Sequence, residues 1–430
     1  MTIEQLYEIY LQHPEVTTDS RVCPEGSMFF ALKGPSFNGN AFAASALEKG
    51  CAVAVVDEAE YVLDERCVLV DDVLATLQRL AAYHRSQLQI PVLQITGTNG
   101  KTTTKELVSA VLSKKYNVLY TQGNLNNHIG VPRTLLRIAP QHEMAVVETG
   151  ANHPGEIATL CQMVQADYGL ITNVGRAHLE GFGSFQGVKR TKGELYDDLA
   201  KRTKTAFLNA MDTDLVEMAQ ERMPNLQCLN YVVGRVAEVV PFLKVQWRET
   251  DDAEWHTVQT HLVGGYNIAN VRAAVTVGLH FGVPAERIDE ALAEYTPTNS
   301  RSEFRQTEKN RLIVDAYNAN PTSMAAALQS FAFVEDKQKM VVLGEMRELG
   351  EASEQEHRTI LEKLLASDIA DIWLVGECFC NLQPIADPRV LCFSDIEAVK
   401  QHLAQSPVQG RTILVKGSNG TKLFQLPEYL

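Results

Sequence analysis

Short runs of four or five apolar residues recur along the chain, and between them lie longer stretches of amphipathic pattern. The first pattern predicts buried strands and the second predicts helices. A short helical pattern opens the chain, followed by Asp19-Ser20-Arg21 and the strand-like Met28-Phe29-Phe30-Ala31-Leu32. Lys33-Gly34-Pro35 and a Gly/Asn-rich stretch to Asn40 come next. Helices are predicted over Ala41 to Lys49 and Val73 to Ser86, with apolar runs at Ala52 to Val56 and Cys67 to Val70 between them. Together these make a small α/β unit.

The alternation then continues at larger scale. Pro91 to Ile95 reads as a short buried strand and Lys101 to Ser113 as a helix, while Met144 to Glu148 and Tyr168 to Asn173 are strands that end in polar residues. A third series, Leu312 to Asp315, Met340 to Leu343, Ile372 to Val375 and Thr412 to Val415, again alternates with helices. The pattern predicts an α/β fold of three domains: a small α/β domain at 1–88, a central domain at 89–298 on a mostly parallel sheet, and a Rossmann-like domain at 299–430. Pro297-Thr-Asn-Ser-Arg301 carries hinge chemistry at the second boundary.

Composition agrees with this picture. A chain of 430 residues exceeds one core and predicts two to four domains. Hydrophobic content of 45 % and charged content of 21 % are those of an ordinary soluble globular protein. The net charge of -14 argues against a nucleic-acid partner but leaves room for a local basic pocket. Met1-Thr-Ile-Glu-Gln-Leu has neither a basic n-region nor an apolar h-region, so no secretory signal is expected. No apolar run approaches the roughly 20 residues of a membrane helix, so no membrane insertion is expected. The eight cysteines lack zinc-site or disulfide-scaffold spacing, and Cys378-Phe-Cys380 reads as two half-buried strand or turn residues. The expected setting is the reduced cytoplasm.

The clearest chemistry lies in Thr96-Gly97-Thr98-Asn99-Gly100-Lys101-Thr102-Thr103, between a predicted strand and a predicted helix. Glycines let successive N–H groups point at oxyanions, and a helix N-terminus adds partial positive charge. Lys101 suits the outer phosphates of ATP and the Thr102 hydroxyl suits Mg²⁺. Gly97, Thr98, Asn99, Gly100, Lys101, Thr102 and Thr103 are therefore candidate ATP-binding residues. The first glycine of the general phosphate-loop pattern would fall on Ile95, so this is a shortened variant. Glu148, ending a strand, stands where parallel sheets bind ligands, although a solvated strand end fits it equally. Taken alone, His178 reads as a satisfied surface or core histidine and Lys192 as a solvated lysine on a helix face.

Taken together the motifs resemble the Mur ligases, the ATP-dependent amino-acid and peptide ligases of peptidoglycan synthesis. The resemblance runs over essentially the whole chain. It is carried by Asp19-Ser-Arg21, Phe29-Phe-Ala-Leu-Lys-Gly34, the loop at 97–103, Thr121-Gln-Gly-Asn-Leu-Asn-Asn-His-Ile-Gly-Val-Pro132 and Glu148-Thr-Gly-Ala-Asn-His-Pro-Gly-Glu156. It continues through Asn173-Val-Gly-Arg-Ala-His-Leu-Glu-Gly-Phe-Gly183, Lys192-Gly-Glu194, Gly265-Tyr-Asn-Ile-Ala-Asn270, Asp315-Ala-Tyr-Asn-Ala-Asn-Pro321, Gly344-Glu-Met-Arg-Glu-Leu-Gly350 and Lys416-Gly-Ser418. The runs at 123–132 and 315–321 are similar to the branch that adds D-alanyl-D-alanine. The family pattern is departed from at Tyr266, at Asn419 and at Asn38-Gly39-Asn40.

The resemblance implies a first domain for a uridine nucleotide, a central ATPase domain and a C-terminal ligase domain. It implies an ATP-dependent ligase that joins D-alanyl-D-alanine to a UDP-N-acetylmuramoyl-tripeptide through an acyl phosphate, acting as a monomer on small molecules. Asn267, Asn270, Arg301 and Asp315 would join the ATP site. Ser20, Arg21, Lys33, Gly34, Asn124, Asn126, Asn127, Asn318 and Asn320 would meet the other substrates. Lys101, Glu148, His178 and Lys192 match the catalytic set, with Mg²⁺ on Thr102, Glu148, His178 and Lys192, the last as a carbamate. The alternative is a ligase like folylpolyglutamate synthase, which tends to carry Gly-Lys-Gly-Ser in its loop and lacks the first domain.

Overall fold

The computed structural model describes residues 1–297, 303–382 and 385–430. The hinge expected at 297–301 and the boundary at 298/299 fall almost wholly outside the described residues. The first unit is a four-stranded parallel sheet in the order Val16–Thr17, Met28–Phe30, Val53–Val56, Cys67–Leu69. Its strands read as unbroken apolar runs because both faces are covered. Val53 and Val55 enter a core with Leu6, Tyr10, Leu77 and Leu80, while Ala54 and Val56 pack on Ala43, Ala46 and Leu47. The helix expected from Ala41 begins later, at Ala43–Glu48, because Asn38 Oδ1 accepts from Asn40 N and holds Gly39–Phe42 in a tighter 3-10 turn.

The first unit is fastened to the second by buried polar contacts. Tyr10 Oη donates to the Leu136 carbonyl. The Arg85 guanidinium donates to the carbonyls of Val164 and Gln165 and pairs with Asp167 at 2.8 Å. His84 Nε2 lies 2.8 Å from the Ile138 carbonyl and must donate to it, which leaves Nδ1 to accept from Tyr7 Oη at 3.1 Å. Burial holds the His84 imidazole below its ordinary range. The unfolded chain therefore binds the proton more readily, and stability should be flat above about pH 6.5 and fall as pH drops below it. Burial shifts His142, His178, His280 and His357 in the same sense. We expect the urea midpoint to decline from pH 7 to pH 5, less steeply in His84→Gln; a midpoint that does not change over that range contradicts the assignment.

The central sheet has six strands, all pairs parallel, in the order Leu229–Asn230, Thr205–Leu208, Tyr168–Ile171, Val92–Thr96, Met144–Glu148, Val118–Tyr120. Helices Lys101–Leu112 and Ile268–His280 cover one face through Leu107, Val108, Val111, Val271 and Val275. A three-stranded antiparallel sheet, Val233–Glu238, Lys244–Arg248 and His256–Gln259, was not foreseen. Its strands carry mainly polar residues, and only Val245, Trp247 and Val258 turn into the core. Asp289 ties it down, accepting from Trp247 Nε1 and pairing with His256 Nδ1, each at 2.7 Å.

The third sheet runs Glu303–Gln306, Arg311–Asp315, Thr412–Lys416, Lys339–Gly344, Asp371–Val375, Val390–Phe393, parallel except for its first pair. Val341 and Leu343 enter one core, Met340 and Val342 the other. Cys378 and Cys380 are half-buried as expected, but they lie in a helical turn, Glu377–Cys380, closed by Cys380 N donating to the Gly376 carbonyl. The carboxyl ends of the second and third sheets face each other across a cleft.

Candidate active site

Strand Val92–Thr96 still contains Ile95, fully buried, so the turn begins only at Gly97. That is the physical reason for the shortened loop. Gly97 has φ +140°, and a Cβ there would sit 2.0 Å from Thr172 Oγ1. Asn173, at the end of the next strand, supports the loop: Thr98 N donates to its carbonyl and Asn99 N to its Oδ1, both at 3.0 Å. Gly100 caps the helix Lys101–Leu112, whose N-terminus faces the cleft. Lys101 Nζ folds back onto the carbonyls of Gly97 and Thr98 at 2.9 Å, a polar cradle it can exchange for phosphate oxygens. Asn270 Oδ1 accepts from Thr104 Oγ1 and its Nδ2 donates to Asn267, which joins the two asparagines to the same helix.

Glu148 is 1 % exposed, so it is a built carboxylate and not a solvated strand end. Its Oε1 accepts from Thr102 Oγ1 at 3.2 Å and from Asn126 Nδ2 at 2.7 Å. Its Oε2 is buried without a partner. An orphaned carboxylate oxygen beside a threonine hydroxyl suits a hard cation such as Mg²⁺, which commonly takes one or two carboxylates together with phosphate oxygens. Among the described residues no group of three or more His, Cys, Asp or Glu converges, so the protein offers no full cage.

Lys192 is 2 % exposed, against the expectation of a solvated helix face. Within helix Phe185–Lys201 it shares one buried stripe with Val188, Leu195 and Leu199. Its Nζ lies 3.3 Å from the Ala151 carbonyl and 5.4 Å from the Phe182 ring centroid. Burial, and then Lys101, push its ammonium pKa well below the ordinary value. His178 holds a left-handed backbone at φ +51°, and its Nδ1 contacts Glu348 Oε2 of the third unit. Burial lowers its pKa, Glu348 opposes the shift and Lys101 adds to it.

The cleft between the two sheets has a volume of about 2190 Å³ counted to its open mouth. Its walls include Lys101, Thr103, Asn124, Asn126, Asn127, Glu148, His178, Asn267, Asn270, Asp315 and Asn318. Asn320 and Asn99 pair their side-chain amides reciprocally across it, and Arg176 bonds Glu356 at 2.8 Å. Lys416 also lines the cleft and pairs with Asp315 at 2.6 Å. Lys416 and Asn173 open two of the motifs quoted above but were given no role in the site, although each ends a strand pattern in a polar residue as Glu148 does. Four expected substrate residues lie in the first unit, away from these walls. Lys33 pairs with Asp57 and Glu58, at 2.9 and 2.8 Å, and Arg21 turns onto Asp19. Ser20 and Gly34 stand beside them in the first unit. Arg301 lies outside the described residues.

Family models match three consecutive stretches: "Mur ligase family, catalytic domain" at 14–94, "Mur ligase middle domain" at 95–278, and "Mur ligase, glutamate ligase domain" at 300–419. A UDP-N-acetylmuramoyl-tripeptide–D-alanyl-D-alanine ligase of Escherichia coli is 35 % identical, over 96 % of this chain and 92 % of its own length. The crystal structure of a MurF from Acinetobacter baumannii superposes with a TM-score of 0.86 at 31 % identity, covering 100 % of this chain and 97 % of that one. A MurF from Thermotoga maritima in complex with ADP superposes with a TM-score of 0.85 at 26 % identity, over 97 % of both chains.

Proposed function

The chain belongs to the Mur ligase family, and from that premise we propose that it is the ATP-dependent ligase that joins D-alanyl-D-alanine to UDP-N-acetylmuramoyl-tripeptide. The observation that carries the reading is the buried Thr102–Glu148–Asn126 cluster at the phosphate loop, in one cleft with His178 and above the buried Lys192. The folylpolyglutamate alternative fits less well, because the loop ends in Thr102-Thr103 and a complete sheet precedes it.

A carboxylate is a poor electrophile, so its oxygen first takes the γ-phosphoryl group of ATP, giving an acyl phosphate and ADP. The dipeptide amine then attacks the acyl carbon, a proton leaves the nitrogen, and phosphate departs with the bonding electrons. The first step brings two anions together, and Lys101 offsets that repulsion once it moves from the loop carbonyls to the phosphates. Thr102 and Glu148 would hold one Mg²⁺, and His178 with Lys192 as a carbamate a second. The bound ions would screen the charges on phosphate and carboxylate. Burial lowers the pKa of the Lys192 ammonium and so favours the neutral amine, the form that adds CO₂ to give a carbamate and a proton. Asp315, Asn267 and Asn270 take the nucleotide, while Asn124, Asn126, Asn127, Asn318 and Asn320 position the peptide partners. Lys33 and Arg21 would exchange their carboxylate partners for the uridine diphosphate.

We divide the chain into a UDP-substrate domain at 1–88, an ATP domain at 89–298 and a ligase domain at 299–430. The cleft residues named above all come from the second and third units of one chain, and we take the monomer as the working unit. Among the described residues no helix is long and apolar enough to cross a membrane. ATP and a nucleotide-linked precursor place the reaction in the cytoplasm. The contacts Asn99–Asn320 and Arg176–Glu356 join the second and third units beside the cleft, and tighter closure on bound substrate would exclude the water that hydrolyses an acyl phosphate. Phosphate release from ATP should require both the UDP-tripeptide and D-alanyl-D-alanine; release with a folate and glutamate instead would contradict this assignment.

A further inference from the structure

The incoming dipeptide is an amine at one end and a carboxylate at the other, and the assignments above give its carboxylate no cation. Desolvating an unpaired carboxylate is costly, so a cation is needed beyond the amine. The cations of the cleft are already engaged. Lys101 serves the phosphates, and Lys416, 1 % exposed in its side chain, is held by Asp315 and by the Asn318 carbonyl. Lys192 is buried below the cleft floor, and Arg176 bonds Glu356.

Arg347 is placed differently. It lies in the loop after strand Lys339–Gly344, at the carboxyl end of the third sheet, where parallel sheets bind ligands. The next residue, Glu348, touches His178 with its side chain, and its carbonyl accepts from Glu180 N at 3.2 Å, so this loop packs beside His178, which lines the cleft. Glu348 holds φ +61° without being glycine. Arg347 N donates to Ser418 Oγ at 3.2 Å, which fixes the loop to the end of strand Thr412–Lys416. The guanidinium lies flat on Gly420, where an added Cβ would sit 2.1 Å from Nη1. Its charged partner is Glu345 at 3.5 Å from Nε, and the side chain is 56 % exposed. A planar fork fixed along one edge and open on the other can take a carboxylate in bidentate fashion. Neighbouring Cα atoms lie about 3.8 Å apart and an extended dipeptide spans about 7 Å; because the residue next to Arg347 touches His178, a dipeptide with its amine near His178 can extend toward the Arg347 side chain.

We propose that Arg347 binds the terminal carboxylate of the incoming dipeptide and so selects a free C-terminus. This rests on the ligase reading above. The test compares D-alanyl-D-alanine with D-alanyl-D-alaninamide, which keeps the amine and removes the charge. Wild-type enzyme should prefer the free dipeptide by about 10- to 100-fold in kcat/KM, the range expected for hydrogen bonds to a charged group. In Arg347→Ala that preference should collapse to within about threefold, through a raised KM for the dipeptide. KM for ATP and UDP-tripeptide should not change, and Arg347→Lys should recover part of the preference. Equal use of both acceptors by wild type, or an undiminished preference in Arg347→Ala, overturns the assignment of Arg347 and leaves the ligase reading standing. A wild-type enzyme that ligates neither acceptor contradicts the ligase reading and this inference with it.

Discussion

Lys192→Ala should lose at least about 100-fold in kcat, and formate or acetate should restore part of it. The magnitude follows from removing one preorganised electrostatic group at a metal and phosphate site. The rescue follows from chemistry. As an ammonium, Lys192 would repel a cation beside Glu148 and Lys101. As a carbamate it supplies oxygen donors instead. Its burial on the stripe shared with Val188 and Leu195 lowers the ammonium pKa, which favours the neutral form that reacts with CO₂. Truncation to alanine leaves a space the size of the lost side chain, which a small carboxylate can enter. Mass spectrometry of the native protein should show an added 44 Da on Lys192, roughly the mass of CO₂. A folded variant, checked by its thermal midpoint, that no carboxylate reactivates would remove the carbamate from the account.

Lys101→Ala should lose about 1,000-fold in kcat/KM. A unit charge about 4 Å from a phosphate oxygen is worth about 4 kcal/mol at an effective dielectric of 20, and each 1.4 kcal/mol is tenfold in rate. The variant should still fold, because Lys101 is only half-buried and its ammonium bonds the carbonyls of its own loop. Steady-state assay with UDP-tripeptide and D-alanyl-D-alanine decides it. Retention of more than a tenth of the activity would mean that another cation offsets the repulsion between γ-phosphate and carboxylate.

What could be read in the sequence follows from burial. Val53–Val56, Val92–Thr96 and Lys339–Gly344 are covered on both faces, and this two-sided cover made them visible as continuous apolar runs. The sheet at Val233–Glu238 is mostly exposed and left no such run. The phosphate loop was legible because Gly97 to Thr102 act as neighbours in sequence. Lys192 was readable in principle, since Val188, Leu195 and Leu199 place it on an apolar stripe, but a lysine by itself reads as solvated. Glu348 and Lys416 belong to the third unit, and Glu348 is 170 residues from its partner His178. Nothing local announces that the carboxyl ends of two sheets meet there; only the packing of the units brings them together. For the same reason the engaged state of Lys33, paired with Asp57 and Glu58, could not be foreseen.

The central claim is activation of the tripeptide carboxylate by ATP before the amine attacks. It is tested most directly with UDP-N-acetylmuramoyl-tripeptide labelled with ¹⁸O in the carboxyl group that becomes the amide. With ATP and D-alanyl-D-alanine present, the enzyme should form the UDP-linked pentapeptide and release phosphate carrying one ¹⁸O atom from that carboxyl group. Pentapeptide formed with unlabelled phosphate, or ATP cleaved without pentapeptide, would contradict it.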